Sequence, residues 1–201
     1  MEKNSLIIRA IKNTIDTKRN ILRNGDTICL IDKVAKVMTA SLRGGKKVLF
    51  CGNGGSAADA QHLAGELSGK FYLDRDPLYA EPLNINTSFI TAVANDLSYE
   101  EVFSRLVMAN GKPGDVLVAI STSGNSLNVI KAIEVANSKK MITVGLTGKT
   151  GGKMADICKY LIKVPSIDTP RIQESHVLIG HIICEIVEEN IFGGKKNIKT
   201  A

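Results

Sequence analysis

Ser121, Thr122, Ser123 and Ser126 put four hydroxyls into six residues around Gly124, in the run Ile120-Ser-Thr-Ser-Gly-Asn-Ser126. Hydroxyls are neutral donors. Clustered where a helix begins, they add to the free backbone N–H groups and the positive dipole end found there. That combination suits an anion, a phosphate above all, and Gly124 lets the ligand approach the backbone closely. Ser and Asn also cap helices and make turns. One hydroxyl would say no more than that, but capping does not call for four.

A second run, Gly52-Asn53-Gly54-Gly55-Ser56-Ala57, fits the looser G-x-G-x-x-A dinucleotide fingerprint. That fingerprint also asks for an acidic residue at the end of the next strand, about 20 residues on. The stretch there, Phe71-Tyr-Leu-Asp-Arg-Asp-Pro77, does not read as a strand. A backbone cradle for a sugar, with Ser56 donating to a phosphate or hydroxyl, fits better than a nucleotide cofactor. No G-x-x-x-x-G-K-[ST] occurs, so ATP or GTP hydrolysis has no support.

His62 and Glu66 stand at i and i+4, on one face of a helix and one turn apart. Gln173 and His181 are eight residues apart on a later helix. They share a broad side of it, about 12 Å apart along the axis, with Glu174 and His176 pointing elsewhere. Imidazole and carboxylate together suit a zinc ion, for which an amide oxygen would be an unusual ligand. Glu66 and His181 could instead act as general base and acid. An interconversion of aldose and ketose needs such a pair: one group takes a carbon-bound proton, the other manages the oxygens of an enediolate. Each of these residues alone reads as a solvated helix face, and His62 with Glu66 as a plain surface pair. The chain has only three histidines, however, and two lie on helices adjoining loops that could meet at one cleft.

The elements that must position these groups are legible in outline. Leu6, Ile7, Ile11 and Ile15 recur at helical spacing, as do Leu30, Ile31, Val34, Val37 and Met38. Asn24-Gly25-Asp26 divides residues 1–43 into two helices, and Gly44-Gly45 ends the second. Apolar runs at 46–51, 115–120, 141–146 and 159–164 read as buried strands. Helices are expected at 56–69, 126–138, around 151–156 and at 171–192. Such alternation argues for a parallel sheet with helices on both faces. Residues 70–84, with Pro77 and Pro82, read as a surface excursion. No composition break marks a second domain.

Composition narrows the class further. The 201 residues include 44 % hydrophobic positions, enough for one α/β core. No apolar run approaches the roughly 20 residues of a membrane span, and Met1-Glu2-Lys3-Asn4 does not open a secretory signal, so a cytoplasmic location is expected. Cys29, Cys51, Cys158 and Cys184 form no C-x-x-C pair and read as reduced thiols, Cys51 and Cys184 as small buried hydrophobes. The net charge of +6 owes half its excess to Lys195, Lys196 and Lys199 in a basic tail, 194–201, expected to be disordered. With no Trp and few aromatics, a base-stacking surface for nucleic acid is not indicated.

At these residues the sequence resembles the phosphoheptose isomerases of the sugar-isomerase (SIS) domain family. The matching segments are Cys51-Gly-Asn-Gly-Gly-Ser56, Asp59-Ala-Gln-His62 with Glu66-Leu67, Ala94-Asn-Asp96, Ala119-Ile-Ser-Thr-Ser-Gly-Asn-Ser126, Thr147-Gly-Lys with Gly151-Gly-Lys-Met-Ala155, and Arg171-Ile-Gln-Glu-Ser-His176 with Gly180-His181. They span about residues 5–193 and are jointly specific. The resemblance implies one α/β domain over 1–193, a three-layer sandwich with a flavodoxin-like parallel sheet and an N-terminal helical segment, 1–43. It implies a homotetramer with sites shared between subunits, so that Glu66 and His181 could come from different chains. It implies conversion of sedoheptulose 7-phosphate to D-glycero-D-manno-heptose 7-phosphate, a step in activated-heptose synthesis for lipopolysaccharide or capsule.

By the same resemblance Glu66 is the base and His181 the acid/base histidine. Ser121, Thr122, Ser123 and Ser126 bind phosphate, with Asn53, Gly54, Gly55 and Ser56 nearby, and Asn95, Asp96, Thr169 and Gln173 contact substrate. Some members bind zinc at positions matching His62, Glu66, Gln173 and His181. Pro170 is a mild departure that a helix start tolerates. A relative of these enzymes binds a replication-initiation protein and is not an isomerase; retention of Glu66, His181 and His62 favours the enzyme. Another sugar phosphate is the second alternative.

Overall fold

Val48–Gly52 (β1), Val116–Ile120 (β3) and Ile142–Thr147 (β4) are buried along almost their whole length. Strands covered on both faces need such apolar runs. In the computed structural model, which describes residues 2–193, they form the centre of a five-stranded parallel sheet. Ala80–Pro82 (β2) and Tyr160–Lys163 (β5) are its edges, in the order β2-β1-β3-β4-β5. This is the flavodoxin-like order that the family resemblance implied.

Alternate side chains of each strand point to opposite faces. Val48, Phe50, Val116, Val118 and Ile120 join one core with α2 (Gly25–Arg43), α3 (Gly55–Ser68) and α7 (Thr169–Phe192). Leu49, Cys51, Leu117 and Ala119 join the other with α4 (Thr87–Asp96), α5 (Val102–Asn110) and α6 (Leu127–Ser138). Burial at about 25 cal/mol per Å² is the main stabilising term for both layers. The expected break between the first two helices is real: Asn24 separates α1 (Glu2–Arg23) from α2 and accepts from the Thr27 amide at 3.0 Å.

Three features depart from the sequence reading. Residues 70–84 are not wholly a surface excursion, because β2 lies within them and pairs with β1, Val48 opposite Ala80. Three residues ending in proline are too short to show strand alternation, and proline is tolerated only at such an edge. The helix expected around 151–156 is only a short 3₁₀ segment, Gly152–Asp156. Two helices, α4 and α5, occupy a stretch that the sequence reading left unassigned; α4 buries only Val93, so its apolar face is weakly marked.

The helical spacing of Leu6, Ile7, Ile11 and Ile15 does give a helix, but these side chains stay 41–57 % exposed within one subunit. Polar contacts tie α1 down instead: Thr14 donates to Glu174 at 2.8 Å, and Arg171 donates to the Ala10 carbonyl at 2.8 Å. Cys51 and Cys184 are buried as read, and burial pushes the Cys184 thiol up to about 12. The basic tail at 194–201 lies outside the described residues.

Candidate active site

From β1 the chain next adds a strand on one side, β2, and then returns to add β3 on the other. Ligands in open α/β sheets bind beyond the carboxyl ends of strands at such a reversal. Gly52 pairs with Ile120 at these ends, so the glycine run and the hydroxyl run leave the sheet side by side.

In the hydroxyl run Ser126 occupies the N-cap position of α6, yet its side chain does not cap that helix. Its hydroxyl pairs with the Ser121 hydroxyl at 2.9 Å instead. Capping therefore does not account for the serines. Gly124 has φ +69°, and a Cβ there would run into the Gly151 carbonyl. The Gly148 amide donates to the Thr122 carbonyl at 2.9 Å, and the Lys153 amide to the Asn125 side chain at 3.0 Å. These bonds hold the loop in one shape. Beside it lies a pocket of about 230 Å³ whose lining includes Thr122, Ser123, Lys149, Ser166 and Thr169.

The glycine run opens α3 with no side-chain cap. The Gln173 amide packs directly on Gly55, where a Cβ would displace it. Ser56 is buried at the start of the helix. Asn53 and Asn128 exchange amide hydrogen bonds at 2.9 and 2.8 Å, and Tyr99 donates to Asn53 at 3.1 Å. The two loops are thus braced to one another. Asn95 and Asp96 end α4, exposed, with a hydrogen bond to each other at 2.9 Å.

The acid–base candidates converge from α3 and α7. His62 Nε2 lies 2.7 Å from His181 Nε2 and 3.4 Å from Glu66 Oε1. All three meet within one chain. Their donor atoms lie within 4.8 Å of one another. Two imidazole nitrogens so close must share a proton or give both lone pairs to a cation. Two imidazoles and a carboxylate suit zinc, so the residues fit that ion. The Gln173 amide, at Gly55, sits seven residues before His62 along α3, about 10 Å of helix axis.

Three neighbours escaped the sequence reading. Phe71 stacks on His181, with centroids 5.6 Å apart and planes at 30°. Asp59, buried one turn before His62, has its carboxyl pushed up to about 6 by burial, against the opposing effect of His62. His176 is fully buried, with Nε2 3.2 Å from the Thr147 carbonyl, and burial holds its imidazole down to about 4. Asp59 and His176 lay in the segments that carried the family resemblance, Asp59-Ala-Gln-His62 and Arg171-Ile-Gln-Glu-Ser-His176, but without a role; Phe71 carried no signal.

A family model described as a SIS domain matches residues 16–148. The phosphoheptose isomerase of Aneurinibacillus thermoaerophilus is 53 % identical over 192 residues, 96 % of this chain and 97 % of that protein. The solved phosphoheptose isomerase from Neisseria gonorrhoeae matches with a TM-score of 0.87 at 40 % identity, over 92 % of this chain and 98 % of that one. The one from Francisella tularensis matches with a TM-score of 0.89 at 34 % identity, over 94 % and 100 %.

Proposed function

Because this chain belongs to the SIS domain family, we infer that it is a phosphoheptose isomerase, converting sedoheptulose 7-phosphate to D-glycero-D-manno-heptose 7-phosphate. The observation that carries this reading is the convergence of Glu66 and His181, from α3 and α7, in a chain that also carries a hydroxyl-lined loop fit for an anion. A protein that only bound the sugar phosphate would need the loop but not the carboxylate and imidazole.

In this reading the substrate phosphate sits at the start of α6 against Ser121, Thr122, Ser123 and Ser126, where hydroxyls and free amides share its charge. Lys149, lining the adjoining pocket, adds a cation. Asn53, Gly54, Gly55, Ser56 and Gln173 hold the sugar from the glycine loop. Glu66 takes the proton from C1 of the ketose and returns it to C2, while His181 moves a proton between the two oxygens.

His62, Glu66 and His181 would hold a zinc ion, which when bound polarises the substrate carbonyl. As a further metal ligand Gln173 would act from a second subunit, since in its own subunit it lies on Gly55. Exposed apolar residues along α1 support burial in a homotetramer. In that assembly Asn95, Asp96 and Thr169, all exposed here, would reach substrate at sites shared between subunits. No helix among the described residues is long and apolar enough to cross a membrane. A cytoplasmic enzyme supplying heptose for lipopolysaccharide or capsule is consistent with this.

The test is incubation with sedoheptulose 7-phosphate in deuterated water, with and without a chelator, followed by NMR. Aldose carrying solvent deuterium at C2 is expected, with turnover reduced by the chelator. A folded sample that forms no aldose under either condition would exclude this activity.

A further inference from the structure

Behind the acid–base cluster lies a second arrangement of charge, and it is buried. Glu188 stands seven residues beyond His181 on α7, two turns along the same side of the helix. Its carboxylate accepts from the backbone amides of Phe71, Tyr72 and Leu73 at 3.2, 2.8 and 3.0 Å, and from Arg75 Nε at 2.8 Å. Arg75 gives its remaining N–H groups to carbonyls. Nη1 reaches Leu67 and Gly69 at 2.8 Å and Asp76 at 3.1 Å, and Nη2 reaches Glu66 at 2.9 Å. Both side chains are 2 % exposed.

The carbonyls of Glu66 and Leu67 belong to the last turn of α3, where helical partners run out. The guanidinium satisfies them and sets a positive charge at the negative end of that helix dipole. The same ion pair folds residues 71–73 around the Glu188 carboxylate and so seats the Phe71 ring on His181. One pair therefore touches both halves of the cluster: the backbone of Glu66 on one side, the stacking partner of His181 on the other.

We propose that Arg75 and Glu188 are positioning residues for the isomerisation, fixing the Glu66 carboxylate and the His181 imidazole relative to each other. Neither touches substrate. Misplacement of reacting groups by about 1 Å costs up to a hundredfold in rate, so the pair acts on kcat. The activity readout rests on the isomerase assignment above; the spectroscopic one does not.

The experiment uses the full-length chain labelled at histidine Cε1. Only His62, His176 and His181 contribute ring signals. His176, fully buried, reports on the core, and His181, stacked on Phe71, is displaced upfield by that ring. In Glu188→Gln, which keeps the shape and removes the charge, kcat should fall roughly ten- to a hundredfold while KM stays within about twofold. The His181 signal should lose its upfield displacement with the His176 signal in place. Arg75→Lys keeps a charge facing Glu188 but cannot fork across the carbonyls; it should act in the same direction, and it decides the matter if Glu188→Gln does not fold. Unchanged kcat and an unchanged His181 signal in a folded variant would overturn the proposal. So would a rise in KM alone, or failure of both variants to fold, which would mark the pair as structural only. Absence of turnover in the unsubstituted protein would remove the isomerase assignment and leave the His181 signal to decide the positioning role.

Discussion

The hydroxyl loop and the acid–base cluster are built by opposite means. The loop draws its donors from residues 121–126, a single strand-to-helix turn; its shape comes from the positive φ of Gly124, hydrogen bonds within the turn, and two bonds from the segment 148–153. The cluster joins histidines 119 residues apart on two helices that meet only because both pack on one face of the sheet. A site made by one turn can bind an anion wherever that turn forms. A site made by packing can move a proton only while two helices keep their relative placement. Binding and turnover should therefore separate on mutation.

The largest expected effect falls on the cluster. Glu66→Gln keeps the size of the side chain and removes the base, so kcat should drop by roughly 10²- to 10⁴-fold with KM nearly unchanged. Steady-state kinetics on sedoheptulose 7-phosphate checks this, and near-normal turnover would take Glu66 out of the mechanism. The loop should respond in the other parameter. Replacing Ser121 and Ser123 together by Ala removes two hydrogen bonds to a charged group, each contributing about 1.5–3 kcal/mol. KM should rise at least tenfold while kcat changes little. A KM equal to that of the unsubstituted enzyme would mean that the loop binds something else.

The smallest effect concerns the third histidine, which belongs to neither site. His176 lies on α7 against the Thr147 carbonyl, at the end of β4 behind the hydroxyl loop. Burial lowers its pKa from 6.5 to about 4. Between those values the unfolded chain takes up a proton that the folded one refuses. The stability is present above pH 6.5 and is lost as pH falls toward 4, by about 3 kcal/mol at most. Urea unfolding at pH 7 and at pH 4.5 should show a smaller loss in His176→Gln than in the unsubstituted protein. The difference between the two proteins carries this test, because the raised Asp59 carboxyl titrates over much of the same range with the opposite sign. Equal losses would clear His176 of any part in the acid sensitivity.

Most of the fold could be read before any coordinates. The central strands are continuous apolar runs, the helices between them carry a regular apolar face, and Asn24 and Gly44 mark helix ends as their chemistry requires. What was missed had weak local signals. The edge strand β2 is three residues long, and α4 buries a single apolar side chain. Phe71 gave no sign of a catalytic neighbourhood because its partner, His181, is 110 residues further along the chain. Nothing local marks Arg75 and Glu188 either: charged side chains are seldom fully buried unless paired, and their pairing joins residues 113 apart.

The sequence by itself determined the four longer strands, most of the helices around them, and the hydroxyl loop, because each depends on side chains within a turn or two of one another. It also restricted the acid–base candidates to a few residues on two helices. Only the tertiary structure decided that His62, Glu66 and His181 meet within one chain, that Asn53 braces the two loops through Asn128, and that a buried ion pair stands behind the cluster. Those contacts join segments that the chain separates by 75 to 119 residues. They exist because burial of both sheet faces brings the helices together, and no spacing along the sequence records that distance.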